Sequence, residues 1–151
     1  MSKKAERIAS MVGAAPVAGI DPYYQGYFDN FNRGLYYEAH DVLEQIWLKD
    51  RHGINGAFYK GLIQLAGALV HLQKQRMQPA CSLLKLASAN LALYEGTHEH
   101  LDVLGVLAFI EHWIAMLQLR NFQVNPLREE PAPILRLEVA TPAAESGAKL
   151  Q

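Results

Sequence analysis

Helix start and stop chemistry recurs along most of this chain, and it limits the possible folds more than any other feature. Between residues 21 and 121, apolar-periodic stretches alternate with residues that cap or end helices. Asp21 suits an N-cap and Pro22 the first helical position. Gly34 and Gly53 suit left-handed helix stops. Asn55 and Thr97 are capping types, and Gly96 closes the stretch that begins near Pro79. The pattern predicts five helices: about Pro22–Arg33, Tyr36–Arg51, Gly56–Gln75, Pro79–Gly96, and from after Thr97 to about Asn121. Links this short place consecutive helices side by side and antiparallel. The expected fold is therefore all-α, a compact bundle of about five antiparallel helices.

The bundle domain is expected to span residues 22–125. Residues 1–21 are expected to be weakly structured, with one short helical turn carrying Ile8, Met11 and Val12 before Gly13, Pro16 and Gly19 break it. Residues 126–151 read as an extended or disordered tail that holds four of the seven prolines. Within it, residues 134–139 (Ile-Leu-Arg-Leu-Glu-Val) alternate apolar and charged side chains. Such a segment either lies as a strand over the body or pairs with the edge of a second copy. Residues 140–151 read as a free tail.

Composition excludes several function classes. A formal net charge of -1 over 151 residues gives no field to attract nucleic acid or an anionic membrane. Residues 1–20 contain no continuous apolar core of the kind a secretory signal needs. The apolar stretch from Leu101 to Leu119 is interrupted by Asp102, Glu111, His112 and Gln118, so a bundle helix explains it better than a membrane span. Cys81 is the only cysteine, which rules out an internal disulfide and fits a cytoplasmic location.

The chemistry-bearing residues concentrate on the second and third helices. At 100° per residue, Tyr37, His40, Leu43, Glu44 and Trp47 share one arc, while Asp41, Gln45 and Lys49 lie nearer water. His40 and Glu44 stand four residues apart, one turn along the same face, a spacing that serves either metal ligation or a hydrogen-bonded pair. On the third helix, Gly61, Gln64, Ala68 and His71 share an arc, and the small residues let a neighbour approach. If that neighbour is the second helix, His40, Glu44, Gln64 and His71 form one polar cluster inside the bundle. His112 falls on an apolar arc of the fifth helix and is more naturally a core histidine than a further ligand. His52, His98 and His100 read as solvated turn residues. Tyr23, Tyr24, Tyr27 and Phe28 read as packing rather than a base-stacking platform, because no Lys or Arg is interleaved with them. Cys81 reads as a small packing residue. No Gly-rich phosphate loop, His-Glu-x-x-His or Gly-x-Ser-x-Gly elbow is present.

Phe31, Asn32, Gly34, Tyr36, Tyr37, Glu38, His40, Glu44 and Trp47, followed by Gly61, Leu62, Ile63, Gln64 and His71, form an ordered pattern. It resembles the prokaryotic family catalogued as domain of unknown function 309, over about residues 22–96. Pro79-Ala80 stands where members often carry Gly-Ala. The resemblance implies an all-α fold and no established activity; members are sometimes labelled as predicted metal-dependent hydrolases. Two functional readings stand side by side. In the first, His40, Glu44 and His71 hold a divalent metal such as zinc, Glu38 or Gln64 orients an unknown small-molecule substrate, and the metal activates water. In the second, the same residues are a structural polar network in a non-enzymatic binding or assembly module. Its aromatic first helix and residues 134–139 then form a homodimer interface.

Overall fold

The computed structural model describes residues 2–13, 17 and 19–139. The described residues form seven helices: α1 (Lys3–Ser10), α2 (Pro22–Asn32), α3 (Tyr36–Asp50), α4 (Gly56–Gln73), α5 (Met77–Leu91), α6 (Val103–Leu119) and the short α7 (Pro126–Glu129). A two-stranded antiparallel hairpin, β1 (Thr97–His98) and β2 (Leu101–Asp102), lies between α5 and α6. The all-α class is thus as expected. No helix among the described residues is long and apolar enough to cross a membrane.

Several helix ends follow local chemistry, but Gly53 does not take the left-handed stop expected of it: α3 ends at Asp50, with Arg51 still right-handed. Asp21 Oδ1 accepts from the amides of Tyr23 (2.7 Å) and Tyr24 (3.3 Å), capping α2 ahead of Pro22. Gly34 takes φ +77°, and the amide of Leu35 reaches back to the Asn30 carbonyl at 2.9 Å, so α2 ends in a Schellman motif. α4 ends the same way on a non-glycine residue. Gln75 sits at φ 61°, and the Arg76 amide donates to the His71 carbonyl.

Two starts differ from expectation. Asn55 makes no capping bond to α4; its Oδ1 instead lies 2.6 Å from His98 Nε2. α6 begins at Val103, because Asp102, not Thr97, caps it by accepting from the Gly105 amide at 3.1 Å. The residues after Thr97 form the hairpin. Its turn places Glu99 (φ 46°) and His100 (φ 64°) both in the left-handed region. That conformation is strained for non-glycine residues, and Tyr24 Oη steadies it by donating to the Glu99 carbonyl at 2.7 Å. His98 is also not the solvated turn residue expected: its ring is half-buried, 4.7 Å from Phe58 and 4.6 Å from Tyr94 between centroids.

Neighbouring helices run antiparallel where cross-links define their registers. Gln73 Nε2 donates to the Gly34 carbonyl at one end of the α3–α4 pair, and Lys60 Nζ stands 4.5 Å over the Trp47 ring at the other. Gly61 faces Leu91 and Gly67 faces Leu83, which fixes α4 against α5. A single core links these helices to the hairpin and to Leu135 in the C-terminal segment. The α2 aromatics lie within it. Tyr27 and Phe31 are fully buried, and Tyr27 Oη donates to the Leu62 carbonyl at 2.6 Å. The expected α2 interface with a second copy is therefore corrected: these rings are interior.

The N-terminal segment is more ordered than its sequence suggested. α1 is a two-turn helix capped by Ser2, and Ile8, only 1% exposed, fixes it on α3. At the other end, residues 131–139 run extended over their own body, and Leu137 bridges Leu101. The expected free tail, residues 140–151, lies outside the described residues.

Candidate functional site

The polar face of α3 is engaged by α1. Arg7 Nη2 donates to Asp41 Oδ2 at 2.9 Å, and His40 Nδ1 lies 3.1 Å from Asp41 Oδ1. Asp41 is only 4% exposed, although the helix projection puts it nearer water; α1 is what covers it. One carboxylate therefore joins a half-exposed guanidinium and a half-exposed imidazole, a charge-assisted arrangement that satisfies a buried anion. One turn on, Glu44 stands 3.9 Å from Lys4 Nζ, a long and well-solvated pair that contributes little. The Tyr37 ring stacks against His40 with centroids 6.3 Å apart.

The expected four-residue cluster does not form through hydrogen bonds. Gln64 Oε1 accepts from Asn90 Nδ2 at 2.7 Å, so it ties α4 to α5 rather than to α3. His71 Nδ1 is sealed from solvent and makes no hydrogen bond. Glu38 has no side-chain partner among the described residues. His112 faces outward, where its Nε2 lies 2.8 Å from Glu130 Oε2; Trp113 Nε1 donates to the other oxygen of that carboxylate at 3.1 Å. Both contacts hold the Glu130 carboxyl below the usual range, with the His112 hydrogen bond contributing most. Burial pushes the Cys81 thiol up, which suits packing rather than nucleophilic attack.

A metal centre needs its ligands to converge to within about 2.0–2.3 Å of one ion. His40 pairs with its neighbour Asp41 on α3, and Glu44 has only the long contact to Lys4. Among the described residues, no group of three or more His, Cys, Asp or Glu is placed to bind a metal. His40, Glu44 and His71 as folded do not fit a zinc site. Two surface grooves, about 490 and 300 Å³, flank the C-terminal segment and are lined by none of Glu38, His40, Glu44, Gln64 or His71.

His71 offers a test of this geometry. Burial, then the nearby Arg76 and Lys74 charges, lower its pKa below the ordinary value of 6.5. The folded state thus favours neutral imidazole. Stability from this group is fully present above pH 6.5 and falls as the pH drops below it, because the unfolded chain takes up the proton first. Urea unfolding at pH 7.5 and pH 5.5 is expected to show a smaller loss on acidification for His71→Gln than for the unaltered chain. Equal losses would mean that His71 is as well solvated as in the unfolded chain.

Asp41 and Arg7 are the site residues that the sequence reading missed. A signal was present: Lys4 and Arg7 stand three apart, as do Asp41 and Glu44. A basic stripe on one helix matched an acidic stripe on another. Asn32, which brackets the backbone of Leu135 at 2.8 Å in both directions, carried no local sign of its partner 103 positions away.

The fold and this interface define a small helical-bundle protein whose N-terminal helix is latched to α3 through a buried carboxylate. Residues 24–83 match a family model described as Domain of unknown function (DUF309), a stretch that covers most of α2, all of α3 and α4 and the first part of α5. No curated protein and no solved structure matches the chain.

Proposed function

We propose that this protein is a non-enzymatic binding or assembly module whose polar motif residues fix helix positions. The observation that carries this reading is the Arg7–Asp41–His40 chain, in which the imidazole is occupied by a structural partner. The rest of the motif supports it. Phe31 and Tyr36 fill the core, Gly34 ends α2, Trp47 receives Lys60, and Gln64 pairs with Asn90. A hydrolase-type site would need His40 to leave Asp41 and, with Glu44, to meet His71.

Two measurements separate the readings. Titration of tag-free protein with zinc is expected to give no stoichiometric uptake tighter than about 1 mM. His40→Ala is expected to lose about 1 kcal/mol, or roughly 3 °C in Tm, as one hydrogen bond to a charged group is removed. Tight one-to-one zinc binding that disappears in His40→Ala, with Tm unchanged, would overturn the module reading in favour of a metal site.

A further inference from the structure

The C-terminal segment is held in a way that reads backbone more than side chains. Asn32 Nδ2 donates to the Leu135 carbonyl and Asn32 Oδ1 accepts from the Leu135 amide, each at 2.8 Å. A side-chain amide that satisfies both main-chain groups of one residue recognises extended chain whatever the side chain at that point. Further along, Leu137 bridges Leu101 in antiparallel fashion, and the Glu138 amide donates to the His100 carbonyl at 2.6 Å. Side chains alternate: Leu135, 6% exposed, joins the core and Leu137 packs against it, while Ile134, Arg136 and Glu138 face solvent. Backbone pairing with alternate side chains in pockets is the geometry of strand addition.

The attachment is confined to one stretch. Glu130 anchors the chain on α6, but residues 131–134, Pro-Ala-Pro-Ile, make no hydrogen bond among the described residues. Grooves of about 490 and 300 Å³ lie along either side of the strap, floored by Val106 and Phe109 on one side and by Ile20 and Phe28 on the other.

We propose that this groove is a docking site for an extended segment supplied in trans, and that its occupant is the strap of a second copy of this chain. The second copy follows from the seat itself: the strap already fills it, so exchange remakes every contact and changes only the path of residues 131–134. The tethered strap competes at high effective concentration, so the trans form builds up only when that strap is weakened or the protein is concentrated. This goes beyond the module reading and shares no residue with the Arg7–Asp41–His40 latch, so either can fail alone.

The test is fluorescence anisotropy with a labelled peptide of residues 131–139, titrated into the full chain and into its Leu135→Ser variant. The variant is expected to bind at least about tenfold more tightly than the unaltered chain, because its own strap competes less. A peptide carrying Asp at the position of Leu135 is expected to bind neither. A folded variant that takes up no peptide at about 1 mM, or that takes up both peptides equally, overturns the proposal. If Leu135→Ser does not fold, hydrogen exchange on the unaltered chain decides. Leu135 and Glu138 amides exchanging well ahead of the α4 amides support a detachable strap, and exchange of both together overturns it.

Discussion

Gly61→Leu is expected to destabilise the protein by about 3 kcal/mol and to lower Tm by about 10 °C. A Cβ at residue 61 would lie 2.8 Å from Cγ of Leu91 and 3.3 Å from the Ala87 carbonyl oxygen. Leu91 is fully buried, and the Ala87 oxygen belongs to the α5 backbone, so neither can move without parting the helices. Replacing a helical glycine gains about 1 kcal/mol of intrinsic propensity, too little to offset overpacking here. Gly67 provides the contrast on the same helix. Its Cβ would meet only the tip of Leu83, at 3.3 Å, and Gly67→Ala is expected to be neutral or mildly stabilising. Calorimetry on both variants checks the pair. Similar melting of the two would show that α4 and α5 do not touch through Gly61.

Asp41→Ala is expected to destabilise by about 2 kcal/mol, with a Tm lower by roughly 6 °C. The carboxylate is buried, but Arg7 and His40 are half-exposed, so water recovers part of what they lose. The effect falls short of that for a fully enclosed pair for that reason. The larger readout is local. With its charge partner gone, α1 keeps Ile8 and, at its C-cap, the Asn30 bond to the Met11 carbonyl, and trypsin should cut after Lys4 and Arg7 several times faster than in the unaltered chain. Unchanged proteolysis together with an unchanged melt would show that the latch contributes nothing.

What the sequence revealed and what it hid divide along one physical line. Signals that act within a turn or two were legible. Asp21 with Pro22 starts α2 and Gly34 ends it, because capping and left-handed stops are satisfied by adjacent backbone. Where a side chain had a distant alternative, local rules failed. Asn55 prefers His98 to its own helix, and Asp102 takes the cap that Thr97 seemed placed to provide. The helix projection put His40 and Glu44 correctly on one side of α3 but could not say which helix faces that side. It assigned Asp41 to solvent because a single helix wheel contains no α1. Gln64 was read correctly as a contact residue, yet its partner is Asn90 on α5.

The strap also bears on how the polypeptide is made. Each helix from α3 to α6 packs on the one before it, whereas the Asn32–Leu135 bonds close a span of 103 positions. Nearby contacts form fast, and distant closures wait on chain diffusion. During translation the helices can assemble in the order they emerge, while Asn32 stays open until Leu135 has been made. A nascent chain therefore displays a vacant seat on α2 through all the synthesis between Asn32 and Leu135.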